Sequence, residues 1–433
     1  MYMGKKILVV AYAVSPSRGS EYSVAWNYIN EMSKDNELVV LYGASGDHMG
    51  DIDEMENWLS SNPIPNVRFV PVLPSGLTTK LNFLNRKGIF PYSFYLAFNF
   101  WQKQVYDTAI KIVENESFDL IHNLNPIGYR EPGYLWKLDL PYIWGPIGGI
   151  PNRPKQLFDD LIVKDKLIFT VRNWINSIQF RFNSRLKKAL NETDLLLTAT
   201  SENKFLVENE YKIPSINIPE NGIVESDLNS HPRIINLKEG DVFNIIWIGS
   251  IDARKSLNFL IEALGEIKNE NWHLHILGKG SLKYKLQEYA KNIHIDSKVT
   301  WYSHIKREEV FQVLQSAHLH VITSLGEATT TVLFEAMTNG IPTISLDHCG
   351  MKDVICDKCG VRIDIQSVSQ VKKDLALAIS DLVRNPAKIN NLSEGLLECS
   401  KLHSWDRRRF LFNNYYDVAI KNWKKNKEAN GAK

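Results

Sequence analysis

Mostly apolar residues come in short unbroken runs along this chain. The first half carries Ile7–Ala11, Leu38–Tyr42, Val67–Val72, Phe118–His122, Pro141–Trp144, Leu195–Ala199 and Ile216–Ile218. The second carries Phe243–Ile248, His273–Leu277, His318–Ile322 and Thr343–Leu346. Runs of about four to eight such residues, bounded by turn residues, predict strands buried on both faces. Between them the period changes. Glu21–Met32 places Val24, Tyr28, Ile29 and Met32 at helical spacing, and the stretch from Ser256 does so with Leu257, Leu260, Ile261 and Leu264. Strand, turn, helix and strand in repeating order predict an α/β fold with doubly wound sheets, whose ligands lie beyond the C-terminal ends of the strands.

A chain of 433 residues is too long for one compact core and predicts two domains. Residues 1–228 form the first, the polar Pro-containing stretch 229–240 a linker, and 241–403 the second. The aromatic segment 404–425 reads as a helix returning to the first domain, and 426–433 as a frayed polar tail. The formal charge of +2 gives no reason to expect a nucleic-acid partner. The apolar part of the N-terminus spans only Ile7–Val14 and reads as a first strand rather than a signal peptide. Four cysteines fit a reducing cytoplasm. Cys356 and Cys359 form a C-x-x-C, read as free thiols in a turn because no second C-x-x-C or paired His completes a zinc site.

The most informative stretch is Ser324–Asp353, SLGEATTTVLFEAMTNGIPTISLDHCGMKD. It reads as a turn, a helix stopped at Gly340, and a strand. Glu327 falls in the turn, and Glu335 about two turns into the helix. Helix N-termini suit phosphate, and carboxylates suit hydroxyls, so the pair points to a nucleotide sugar. An ordinary βαβ unit with an acid near its helix start is the competing reading. Arg254 and Lys255 precede another helix, where cations oppose the dipole and therefore suggest an anionic ligand. Two stretches, Thr79–Gln104 and Lys164–Leu190, are basic and aromatic; they read either as core-packing helices or as a face for an anionic membrane.

Glu327, Glu335, Ala336, Met337, Gly340 and Pro342 match in register a segment of the family 4 retaining glycosyltransferases, which this chain resembles. Gly249 and Lys255 resemble that family's glycine-lysine loop, His122 its histidine after F-D-x-x-H, and Gly19 its first glycine loop. Ala328 and Thr330 stand where glycines are common; Ser250 replaces an arginine and Ser256 a glycine. The resemblance implies a GT-B fold, two Rossmann-like domains facing across a cleft. It implies transfer of a hexose from a nucleoside-diphosphate sugar to a glycan or lipid-linked acceptor, with retention and without metal or cofactor, in cell-surface polysaccharide synthesis at the inner face of the plasma membrane. By it, Glu335 binds ribose and Glu327 the sugar. Lys255, Arg254 (in place of the missing arginine) and the backbone of Ala328, Thr329, Thr330 and Thr331 hold the diphosphate; Gly350 lies near the nucleotide. Gly19 and His122 approach from the first domain. Asp51-Ile-Asp53 has the D-x-D form of metal sites in the other large glycosyltransferase fold, but reads as helix-start acids. A sugar-nucleotide epimerase and a non-catalytic partner subunit remain as alternatives.

Overall fold

A computed structural model describes residues 4–19, 21–44, 52–90, 93–238, 240–302 and 307–431. Asp51 lies outside them. The chain forms two compact units. One comprises Met1–Ile150, Ile178–Glu220 and Trp405–Lys433; the other comprises Pro151–Ser177 and Asn221–Ser404.

The first unit is built on β1 (Lys6–Ala11), β2 (Glu37–Gly43), β3 (Val67–Val72), β4 (Leu120–Asn125), β5 (Tyr142–Ile147), β6 (Leu195–Thr198) and β7 (Ser215–Asn217). Their order is β3-β2-β1-β4-β5-β6-β7, with parallel pairing throughout. Leu8, Val10, Val39, Leu41 and Ile121 pack against Phe98, Trp101 and Val105 on one face. Ile7, Val9, Leu38, Val40 and Leu120 meet Tyr28, Ile29, Phe412 and Tyr416 on the other. Helices cover both faces, so the strands need apolar residues at every position rather than alternate ones. β5 runs past the expected Pro141–Trp144 run, through Gly145 to Ile147.

The second unit contains β8 (Phe243–Ile248), β9 (Trp272–Leu277), β10 (Val299–Tyr302), β11 (Leu319–Ile322), β12 (Thr343–Leu346) and β13 (Gly360–Ile363) in the order β10-β9-β8-β11-β12-β13. β10 and β13 are the edges. Three of four β10 residues are half-buried, which explains the missing apolar run there.

Three expectations need correction. Pro151–Ser177 belongs with the second unit, not the first. Leu157, Phe158 and Phe169 are buried among Ile251, Leu257 and Leu260, and Lys372 pairs with both Asp160 and Glu262. The stretch expected as a linker is tied to the second unit: Ile235 N–H donates to Asn390 Oδ1 at 2.8 Å, and Arg233 to Gln315 O at 2.5 Å. The expected tail is helical, because the last helix runs Trp405–Gly431; Asn426 and Lys427 find Asp194 and Asp139.

The helix Val163–Phe182 buries Phe169, Asn173, Asn176 and Phe180 along one stripe. It exposes Val163, Leu167, Val171, Trp174, Ile178 and Phe182 along the opposite one, with Phe182 77% exposed. In the other basic aromatic stretch Trp101 and Phe98 are core residues, whereas Phe83, Ile89, Phe90 and Leu96 are exposed. Among the described residues no helix is long and apolar enough to cross a membrane.

Candidate functional site

The second sheet changes direction between β8 and β11, which are neighbours. Loops 249–256 and 323–330 leave the C-terminal ends of these two strands, the place where doubly wound sheets bind ligands. Thr323 Oγ1 donates to Lys255 O at 2.7 Å, and Leu325 N–H donates to Arg254 O at 2.7 Å. Asp252 Oδ1 accepts from the backbone N–H groups of Arg254 and Lys255 at 2.9 and 3.0 Å. The backbone carrying both cations is thereby fixed from two sides.

Their side chains converge on one carboxylate. Lys255 Nζ lies 2.5 Å from Glu327 Oε1, and Arg254 Nη1 pairs with the same oxygen. Arg254 Nη1 also donates to Gly326 O at 3.3 Å. The Lys255 stem passes over Gly249, where a Cβ would stand 3.5 Å from Lys255 Cδ and Cε. Ser256 follows with φ +46°, a left-handed conformation that favours glycine. Ser250 is exposed.

Arg153 was not legible as part of this site. It reaches the second unit on the Pro151–Ser177 segment. Asn173 holds its backbone through both amide groups, at 3.1 and 2.9 Å. The guanidinium stacks 3.9 Å from the Phe169 ring centroid, and its Nε is buried without a hydrogen-bond partner. It packs against Gly326, whose added Cβ would lie 3.6 Å from Arg153 Cγ. Burial, then the neighbouring Arg172 and Arg254, push its pKa down to about 10, against the pull of Asp252 and Glu327. Arg153, Arg172, Arg254 and Lys255 thus outnumber Asp252 and Glu327, an excess of positive charge suited to an anion.

The helix after loop 323–330 spans Thr331–Thr338, starting later than the acid spacing suggested. Glu335 therefore sits one turn in, not two. It shares the half-buried face with Thr331 and Val332, opposite the buried Leu333, Phe334, Ala336 and Met337. Thr330 is the N-cap residue and makes no side-chain cap. Ala328 O accepts from Gly350 N–H at 2.7 Å, and a Cβ on Gly350 would stand 1.9 Å from Ala328 O. Only glycine allows that approach. Thr329 is buried beside it.

The first-unit candidates differ from expectation. His122 is not at a strand end. It lies within β4, paired between Val9 and Ile143, and is wholly buried. Its Nε2–H donates to Gly145 O at 2.8 Å, and its Nδ1 accepts from the Tyr28 hydroxyl at 2.8 Å. Burial pushes its pKa down to about 4. It is a satisfied core histidine, without the exposure a catalytic contact needs. Gly19 is exposed beyond β1, and a Cβ there would meet nothing within 4 Å. The loop before it is held by Asn125, which accepts from Ala13 N–H at 3.2 Å and donates to Ala13 O at 2.8 Å, and by Glu54, which accepts from Ser15 Oγ at 2.7 Å. Asp53, of the D-x-D, is exposed in the first turn of a helix, as read.

The profile of the glycosyl transferases group 1 family matches residues 231–395, which include both loops and the helix bearing Glu335. This span is similar to the glycosyl transferases group 1 family. The matched span lies entirely within the second unit. A lipopolysaccharide 1,6-galactosyltransferase of Escherichia coli (strain K12) is 31% identical over 147 residues, covering 31% of this chain and 41% of that protein. The chain therefore matches less than half the length of that relative. A sucrose-phosphate synthase from Thermosynechococcus elongatus superposes with a TM-score of 0.62 at 15% identity, over 95% of this chain and 98% of that one. Anabaena HepE, solved in complex with UDP and glucose, gives 0.57 at 12% identity, over 95% and 99%. These likenesses establish the fold: two Rossmann-like domains of a GT-B architecture, the matched span belonging to the second of them.

Proposed function

We propose that this chain is a glycosyltransferase that moves a hexose from a nucleoside-diphosphate sugar to a glycan or lipid-linked hydroxyl in cell-surface polysaccharide synthesis. The meeting of Lys255 and Arg254 on Glu327 at the β8–β11 switch point carries this reading. Lys255, Arg254, Arg153 and the amides of Ala328 to Thr331 hold the diphosphate. Engaging the cations releases the Glu327 oxygens to accept from hydroxyls of the transferred sugar. Glu335, one turn into its helix, accepts from the ribose. The relative that transfers galactose to lipopolysaccharide supports the acceptor class, and UDP in HepE supports a nucleotide donor.

The anomeric carbon–phosphate bond breaks, and the acceptor oxygen bonds that carbon from the same face. The acceptor proton passes to the departing phosphate oxygen, so no separate base is needed and configuration is retained. Side-chain cations neutralise the leaving diphosphate without a metal, and catalysis rests on charge and positioning. The exposed apolar stripe of helix Val163–Phe182, beside Lys164, Lys166 and Arg181, lies on an anionic membrane surface where lipid-linked acceptors reside.

Thermal shift of wild type and Glu335→Ala against UDP-, GDP-, ADP- and dTDP-sugars tests the donor site. One nucleotide class should stabilise wild type by about 2.7 kcal/mol at a hundredfold excess over Kd, with the shift lost in the variant; no shift with any donor sinks the reading. Turnover with that donor should require an acceptor, persist when Mg2+ and Mn2+ are omitted, and give a product whose proton NMR coupling shows the donor's anomeric form. Cosedimentation with anionic but not zwitterionic vesicles, weakened by salt and by Trp174→Ala/Phe182→Ala, checks the membrane face.

A further inference from the structure

Three cysteines meet away from the donor site. Cys356 and Cys359 flank the turn before β13, and Cys399 lies in the helix Pro386–Leu402. The Cys356 sulfur is 3.7 Å from that of Cys359 and 3.2 Å from that of Cys399; all three lie within 4.8 Å of one another. Cys359 and Cys399 are buried, whereas Cys356 is half-buried and gives an approach from solvent. The C-x-x-C alone was too little to suggest a site; the third sulfur comes from a helix that no local spacing connects to it.

Sulfurs bonded at about 2.3 Å to one tetrahedral Zn2+ stand about 3.8 Å apart, close to the spacing here. A disulfide needs about 2.05 Å between two of them and leaves the third over. Lys358 faces Cys356 and Cys399, and Arg362 faces Cys356. Each also holds an exposed carboxylate, Glu398 for Lys358 at 3.2 Å and Asp357 for Arg362 at 3.1 Å.

We propose that Cys356, Cys359 and Cys399 bind one Zn2+ through three thiolates, with the fourth position open to water on the Cys356 side. Among the described residues no fourth His, Cys, Asp or Glu joins the cluster. Binding forms three zinc–sulfur bonds and releases the three thiol protons to the medium, with no change of oxidation state. The ion joins the turn before β13 to the helix Pro386–Leu402. Cys359 and Cys399 pack with Leu333, Phe334, Met337 and Met351, so the joint lies behind the helix that bears Glu335. Its role is to stiffen this part of the second unit, independent of any reading of the donor site.

The test uses the full chain, purified with a thiol reductant, stripped by a chelator and titrated with Zn2+ against a colorimetric competitor. One Zn2+ per chain is expected, with affinity at least about 100-fold weaker in Cys359→Ser. Cys349→Ser, altering the fourth cysteine outside the cluster, should bind as wild type. Co2+ should give a thiolate charge-transfer band in wild type that Cys359→Ser loses. Cys356→Ser, at the half-buried position, serves if the buried variant fails to fold. Zinc should also protect Cys356 of wild type from alkylation by N-ethylmaleimide. Absence of stoichiometric binding, equal binding in both cluster variants, or an intact mass two hydrogens low from a disulfide would each overturn the proposal.

Discussion

Lys255 Nζ stands 2.5 Å from Glu327 Oε1, and that contact joins the loop after β8 to the loop after β11. Both side chains are largely withdrawn from water, 12% and 14% exposed, so the pair is more than a surface ion bridge. Removing either partner has different consequences. Lys255→Ala leaves Arg254 to hold Glu327, and should lower kcat with the correct donor about 10²- to 10³-fold, the usual cost of losing one group that stabilises leaving-group charge. Glu327→Gln should keep nucleotide binding but lose discrimination among sugars bearing different hydroxyl configurations. Steady-state kinetics with a donor series reads both.

Arg153 gives a second prediction. Its guanidinium is stacked on Phe169, and its Nε is buried without a hydrogen-bond partner among the described residues. Arg153→Ala should raise the donor KM about tenfold, the equivalent of roughly 1.4 kcal/mol, while leaving the acceptor KM unchanged. Unfolding in urea should show only a small loss of stability. Equal changes in both KM values would argue for a purely structural role.

Gly350 tests the loop that follows Glu327. A methyl group there meets Ala328 O at 1.9 Å and Thr329 Cγ2 at 2.3 Å. Backbone must move to admit it, so Gly350→Ala should destabilise the chain by about 1–3 kcal/mol. Donor affinity should fall as well, because the amides of Ala328 to Thr331 shift together. Chemical denaturation and donor titration on one preparation separate the two effects.

Acid should weaken the fold through its buried and half-buried histidines. Burial holds His122 near pKa 4 and His320 near 3; burial and neighbouring charge hold His275 and His318 near 4. Each is neutral when folded but takes up a proton near pH 6.5 when unfolded. Between about pH 6.5 and 4 the unfolded chain therefore binds more protons, and stability falls as pH falls, by up to about 1.4 kcal/mol per pH unit per histidine. Above pH 6.5 these groups add no slope. In His122→Gln the slope across this window should be shallower by one histidine's share, as read from denaturation at fixed pH values.

Much of the fold was visible as apolar runs, because strands covered on both faces show no alternation to obscure them. The strands that escaped notice, β10 and β13, are edges whose residues are partly exposed. His122 was misplaced because β4 goes on through Asn123 and Asn125, polar residues that a strand of this kind tolerates only when paired. Asn125 is paired with Ala13, and Asn123 with Pro132 O at 3.3 Å. Glu327, Lys255 and Arg254 were readable from local order and resemblance. Arg153 was not, since its neighbours Pro151, Asn152 and Pro154 carry no chemical signal and its segment lies far from residue 231 in the chain.

The last helix has a bearing on how the chain is made. Trp405, Phe412, Tyr416 and Ala419 close one face of the sheet that begins at β1. A ribosome delivers β1 long before those side chains. The unit whose synthesis starts earliest therefore cannot seal its core until after residue 404, when every segment of the other unit has been delivered. Domains usually mature in the order of their synthesis; here the second-made unit is the first able to finish, and a nascent chain stalled short of Trp405 leaves the earlier sheet with an uncovered face for chaperones to guard.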